Sequence, residues 1–253
     1  MSQVPAATRA LRVLRFLASQ PEAVPLERIA RACDLPRSSA YHLLRAMVDE
    51  GFVSHLADER RFGLGLAAFE VGSGYSRQAP LQRIARRAVA ALADRTGESA
   101  HLAVLHGRDV LYVVEERAPG RAPLVTDVGV RLPAHLTASG RAILAGLPPA
   151  QVRALYPDAA AFADRHGVGP RGPAALRTLL TETRQRGWAT EDGEVTPGFA
   201  SVAAAVVDHN GHPVAGVAVT YASADPPDVS AEVRRTAELV TRRLGGLTAP
   251  TRR

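Results

Sequence analysis

"DLPRSSAYHLLRAMVDEGFV", Asp34 to Val53, reads as a helix with two unlike sides. Pro36 suits a first helical position, where its missing N–H has no partner to lose. At about 100° per residue, Ala40, Leu43, Leu44 and Met47 cluster on one side, with Val48 at the margin. That side is the core. The other gathers Ser38, His42 and Arg45, flanked by Arg37 and Tyr41, with Ser39 nearer the apolar border. Short hydroxyls at the helix start followed by longer hydrogen-bonding groups can meet phosphates and base edges in a major groove, or simply face water.

Upstream, "PLERIARACD" carries Pro25 at a helix start, Glu27 in the first turn, and Leu26, Ile29, Ala30 and Cys33 at core spacing. Two short helices joined by a tight turn form a helix-turn-helix. Ahead of them Leu11, Leu14, Leu17 and Ala18 share a face, and Val13 and Phe16 widen it, which suits a broad core contact or a second subunit. Downstream, "GFVSHL" and "RFGLG" flank the polar turn "ADER", so a hairpin follows the third helix. Three helices and a hairpin make a winged helix-turn-helix. Arg60 and Arg61 stand at or beside the wing tip, placed for a phosphate or a minor groove, or for solvent.

The 253 residues favour two compact units, and 46% hydrophobic with 22% charged residues gives an ordinary globular core. The net charge of +6 comes entirely from arginine, since lysine is absent. It permits a polyanionic partner without locating one. The single cysteine, Cys33, falls on an apolar face and reads as a buried hydrophobe in a reducing compartment. No apolar run reaches the roughly 18 residues of a membrane helix, and arginines interrupt the N-terminal apolar stretch, so a cytoplasmic location is expected.

"LAAFEVGSGYSRQAP", residues 66–80, begins helix-like and ends in Gly, Ser and Pro, which marks a boundary. The expected organisation is a winged domain over 1–65, a linker helix over 66–80 and a second domain over 81–253. That second domain opens with the helical "LQRIARRAVAALADRTG" and then changes period. "SAHLAVLHG" and "VLYVVEER" form one hairpin, "PLVTDVG" a further short strand, and "SVAAAVVD" with "PVAGVAVTYA" a second hairpin turning at Asn210-Gly211. Helical stretches lie between and after them. Hairpins rather than strand-helix alternation predict an α+β fold with an antiparallel sheet and flanking helices.

The sequence resembles the IclR family of bacterial transcriptional regulators over about residues 7 to 246. The resemblance rests on "RALRVLRFLA", "LERIARACDLPRSSAYHLLRAMVDEGFV", "RFGLG", "RLPAHLTASGRAILA" and "GWATEDGEVTPGFASVAAAVVDHNGHPVAGVAVT". It implies a DNA-binding winged domain and a GAF-like effector-binding domain. His42 stands where the family often has a basic residue, Arg141 where lysine is usual, Ser201 where cysteine is common and Ala205 where proline is. The implied cavity positions are Leu124, Leu132, Ala138, Ser139, Glu191, Phe199, Ser201, Ala218 and Thr220. Their mix of apolar walls, hydroxyls and one carboxylate suits a small organic effector, a carboxylate or an aromatic acid. Independently, Thr137 reads as an N-cap, which leaves the N–H groups of Ala138, Ser139 and Gly140 for an anion or for water.

Catalytic motifs of the G-x-S-x-G, Walker A and strand-G-x-G-x-x-G kinds are missing. Ser139 or Ser201 with His135 lacks any sequence geometry for a triad, and His101, His106, His135, His209 and His212 lack metal-ligand spacing. The expectation is therefore a regulator without enzymatic activity, metal or cofactor: a homodimer or dimer of dimers that binds a double-stranded operator and a small effector, and no membrane. The alternative is a winged-helix protein-interaction module with a ligand-sensing domain and no operator.

Overall fold

The computed structural model describes residues 4–78, 80–121 and 124–246. The chain divides into two compact units, Met1–Ala79 and Pro80–Arg253. The first runs α1 (Pro5–Ala18), β1 (Val24–Pro25), α2 (Leu26–Ala32), α3 (Arg37–Asp49), β2 (Val53–Leu56), β3 (Arg61–Leu64) and α4 (Leu66–Gln78). Its sheet has the order β1-β3-β2 with both pairs antiparallel. Ile29 and Ala30 of α2, with Cys33 just after it, close with Ala40, Leu44 and Met47 of α3 on Val13, Val53 and Phe62.

The turn between α2 and α3 is made by Asp34, whose φ of +53° lies in the left-handed region. Cys33 N–H still reaches Ile29 O, and Leu35 N–H swings back to Ala30 O at 2.9 Å, seating Leu35 in the core. Only Gly, and Asn or Asp at some cost, take that conformation readily. Asp34→Val should therefore destabilise this unit by about 1–2 kcal/mol, while Asp34→Gly should be neutral or stabilising. Thermal melts of the two variants check the order, and equal midpoints would remove the strain argument.

Two expectations for this unit change. Pro25 is not the first helical residue but pairs with Arg61 in β1 and caps α2, as an edge position permits. Neither Leu11 nor Ala18 shares the core face. The buried stripe is centred on Val13 and Leu17, which turns Leu11 outward at 62% exposure.

The second unit begins with α5 (Pro80–Thr96), β4 (Ser99–His106) and β5 (Asp109–Glu116), and continues through β6 (Arg131–Pro133), a 3-10 turn (Ala134–Leu136), α6 (Ala138–Gly146) and α7 (Pro149–Leu155). A further 3-10 turn (Ala159–Ala161) leads to α8 (Pro173–Arg186), β7 (Ala189–Asp192), β8 (Phe199–Val207), β9 (Pro213–Ala222) and α9 (Ser230–Arg243). Its sheet, ordered β6-β5-β4-β9-β8-β7, is antiparallel throughout. The fold is α+β, as expected.

Alternation along β8 and β9 sorts the two faces. Val202, Ala204, Val206, Val217 and Val219 pack on α5 and α9. Ala203 and Ala218 face α6, where side chains are small. That smallness lets the start of α6 lie against the sheet: a Cβ on Gly216 would stand 2.8 Å from Ser139 O.

The predicted strand in "PLVTDVG" is corrected. Residues 124–130 form successive turns, with Gly129 at φ +93° and Val125 and Val128 exposed; Pro123 lies outside the described residues. The place beside β5 belongs instead to β6, through Val110↔Leu132.

Candidate functional site

On α3 the apolar side pins the helix and leaves Arg37, Ser38, Ser39, Tyr41, His42 and Arg45 exposed in one array. Arg37 pairs with Glu27 at 3.0 Å, and the Tyr41 and His42 rings meet edge-on at 5.9 Å. Arg45 makes no ion pair among the described residues. Its first turn holds no acidic residue, so the positive end of the helix dipole is open to an anion. In the wing, Arg60 is exposed at a left-handed φ of +52°. Arg61 turns back, donating to Ala23 O at 3.2 Å and lying 3.9 Å from both Glu22 and Glu59. Arg60 thus presents itself at the tip and Arg61 braces the β1 edge.

In the second unit, sheet register brings polar residues of separate strands into one row: Glu191 on β7 lies opposite Ser201 on β8, and Ser201 opposite Thr220 on β9. Ser201 Oγ donates to Glu191 Oε1 at 2.6 Å and stands 2.9 Å from Thr220 Oγ1. This row floors a cavity of about 20 Å³, closed by Tyr112, Leu124, Thr126, Ala138, Ser139 and Phe199. That is room for about one water molecule, so any larger guest must push a wall outward. Leu124, Ala138, Ser139, Glu191, Phe199, Ser201, Ala218 and Thr220 all line it. Leu132 does not. Buried opposite Val110 on the edge strand, it belongs to the apolar cluster with Ile143 and Leu144.

Thr137 caps α6 with its side chain, accepting the Gly140 N–H at 3.0 Å. Gly140 is therefore not an open donor, and Ala138 and Ser139 alone bring the helix start to the cavity. Burial pushes the Glu191 carboxyl above its ordinary range, opposed by the Ser201 hydrogen bond and reinforced by Glu194. Burial and then the Arg117 guanidinium push His101 down to about 3, so its ring is neutral.

Among the described residues, three buried polar atoms of side chains that line this cavity, His101 Nε2, Ser139 Oγ and Glu191 Oε2, have no hydrogen-bond partner. Buried groups are nearly always satisfied, and the exceptions call for an explanation. Convergence of three on one space suits a buried water or the polar groups of a small guest. His101 and Thr126, whose Nδ1 and Oγ1 are 3.4 Å apart, were not among the sequence-derived positions. Sheet register makes the link, since His101 on β4 lies opposite Ala218 on β9, which lines the cavity. His135, weighed for a triad, lines a different cleft with His106 and bonds Ala163 O at 3.0 Å. No group of three or more metal-binding side chains occurs among the described residues.

The chain matches two family models: "IclR helix-turn-helix domain" over residues 6–57 and "Bacterial transcriptional regulator IclR C-terminal" over residues 74–241. The glycerol operon regulatory protein of Streptomyces coelicolor is 34% identical over 244 residues, covering 94% of this chain and 95% of that protein. The crystal structure of Thermotoga maritima IclR superposes with a TM-score of 0.71 at 26% identity, covering 96% of this chain and all (100%) of that one. An IclR homologue from Microbacterium hydrocarbonoxydans complexed with 4-hydroxybenzoate has the same fold, with a TM-score of 0.78 at 24% identity over 94% of this chain and 98% of that one. With a winged helix-turn-helix in one unit, a polar cavity buried in the other and both family models matched in order, the chain belongs to the IclR family of bacterial transcriptional regulators, which join a helix-turn-helix DNA-binding domain to a C-terminal effector-binding domain.

Proposed function

We propose that α3 reads an operator through Ser38, Ser39, Tyr41, His42 and Arg45, with Arg37 and Arg60 on phosphates, and that a small organic molecule in the cavity of the second unit sets operator occupancy. The reading places the DNA-binding part in residues 1–65, the linker in 66–80 and the effector domain in 81–253. The protein acts in the cytoplasm as a regulator, without catalysis, metal or prosthetic group. The observation that carries the effector half is the convergence of His101 Nε2, Ser139 Oγ and Glu191 Oε2, each buried and without a hydrogen-bond partner among the described residues. The 4-hydroxybenzoate complex of a homologue with the same fold supports a small organic effector.

The working species is a homo-oligomer built on a dimer. Leu66 and Phe69 on α4 are each 71% exposed, and a second copy would cover them. Two copies of α3 would then enter major grooves about 34 Å apart, which asks for a palindromic operator. The effector acts by preferring one arrangement of the pair, since only differential affinity shifts an equilibrium.

Gel shift with the DNA flanking its own gene tests the reading, and no retardation of any genomic fragment would favour the protein-interaction alternative. Arg45→Ala is expected to weaken operator binding by about 1–3 kcal/mol, roughly five- to 150-fold, if Arg45 reads a base. If it meets a phosphate, the loss is uniform across sequences and the salt slope falls by about one. Unchanged affinity removes Arg45 from the interface.

A further inference from the structure

We propose that a cleft between α7 and α8 binds a small amphipathic carboxylate, at a site separate from the polar cavity under the β7-β8-β9 row. Helical spacing builds its two banks. On α7, Pro149, Val152 and Arg153 face the cleft, and Tyr156 follows one turn on, just past the helix end. On α8, Leu176, Leu180 and Arg184 form one stripe, with Arg177 and Thr181 beside it. The banks enclose about 560 Å³, inside the roughly 300–1,000 Å³ of small-molecule sites. The cleft and the polar cavity share no lining residue.

The floor is apolar and fixed. Tyr156, Leu176 and Leu180 are buried members of the cluster that also holds Ile143 and Leu144, and Val152 packs partly buried against it. The rim is cationic. Arg153 and Arg177 are exposed, and neither guanidinium makes an ion pair or hydrogen bond among the described residues. Arg184 is pinned by its Nε, which donates to Ala145 O on α6 at 2.7 Å. Its terminal nitrogens are thereby held at the rim with less freedom left to lose on binding. No acidic side chain lines the cleft among the described residues, and Glu182, the one acid of α8, is exposed and outside the lining.

Three guanidiniums without a counter-ion above an apolar floor select a ligand that is negative at one end and apolar at the other. A carboxylate accepts from a guanidinium through both oxygens, while an alkyl chain or a ring covers Val152 and Leu180. A phosphate alone would leave the floor uncovered, and an amphipathic cation would meet the rim with the wrong sign.

The test uses the full chain and three probes: octanoate, acetate, which lacks the apolar part, and octylamine, which reverses the charge. Calorimetry and thermal shift should show octanoate binding that weakens with salt, as exposed charge contacts do, and no binding of the other two. Arg153→Glu with Arg177→Glu should weaken octanoate about five- to thirtyfold or more, the worth of two exposed ion pairs. Arg153→Lys with Arg177→Lys keeps both charges and should retain binding. Both double variants should melt with the parent, since neither side chain has a contact to lose. Undiminished octanoate binding in the glutamate variant would seat the probe elsewhere, the effector cavity included, and overturns the inference. So does octylamine binding as well as octanoate, or no binding of octanoate at all. A glutamate variant whose oligomeric state changes in sedimentation while octanoate binding does not would assign the cleft to a second copy of the chain instead. Each of these failures leaves the operator and effector readings standing, because gel shift and the polar cavity test those separately.

Discussion

Gly140→Ala is expected to destabilise the C-terminal unit by about 3 kcal/mol or more, the upper end of overpacking effects. Helix propensity alone gives the opposite sign, because alanine is favoured over glycine by about 1 kcal/mol in a helix interior. Position decides. A Cβ on Gly140 would collide with the carbonyl oxygen and Cα of Ala134, backbone atoms that cannot rotate away. Retreat is blocked as well, because Thr137 holds the Gly140 N–H and Ser139 rests on β9 at Gly216. Trp188, the single tryptophan, lies just before β7 beneath the Arg186 guanidinium at 4.2 Å, so its fluorescence reports on this unit. A urea midpoint equal to that of the parent would show that the 3-10 turn and α6 can part without cost. Because Ala138 and Ser139 wall the cavity, effector binding should fail with stability.

How far the sequence discloses this architecture depends on element length and on register. The helix-turn-helix is legible because Ala40, Leu44 and Met47 repeat at helical spacing over about two turns. The face of α1 is less so: apolar residues at 11, 13, 14, 16 and 17 nearly encircle it, and only packing selects Val13 and Leu17. Strands of two to four residues, β1, β6 and β7, are too short to show a period. The run 124–129 has strand composition, but Gly129 breaks it. For the cavity, resemblance supplied positions that the fold gathers except Leu132, whose apolar character suits wall and core alike. His101 and Thr126 lie 25 residues apart in sequence, and only the sheet and the turn after it bring them together.

Arg141→Ala is expected to cost the C-terminal unit about 3–5 kcal/mol, the range for removing one partner of a buried ion pair. The side chain is 3% exposed, and Glu194, which it meets at 2.8 Å, is 13% exposed. Removing the guanidinium strands that carboxylate and two backbone acceptors, His135 O and Thr190 O, held at 2.8 and 2.6 Å. Each loss is a desolvation penalty rather than the worth of a contact. Arg141→Lys separates charge from geometry. An ammonium restores the charge opposite Glu194, yet a single nitrogen on a flexible stem cannot span three acceptors set by a planar fork. It should therefore recover only part of the loss and remain about 1–3 kcal/mol below the parent, the price of one unsatisfied buried group. Glu194→Gln in the alanine background removes the stranded charge and should regain part of the stability, with a coupling of about 1–3 kcal/mol in a double-mutant cycle. Additive losses in that cycle would show that Arg141 and Glu194 act independently, and a lysine variant as stable as the parent would show that charge alone holds β7 to α6.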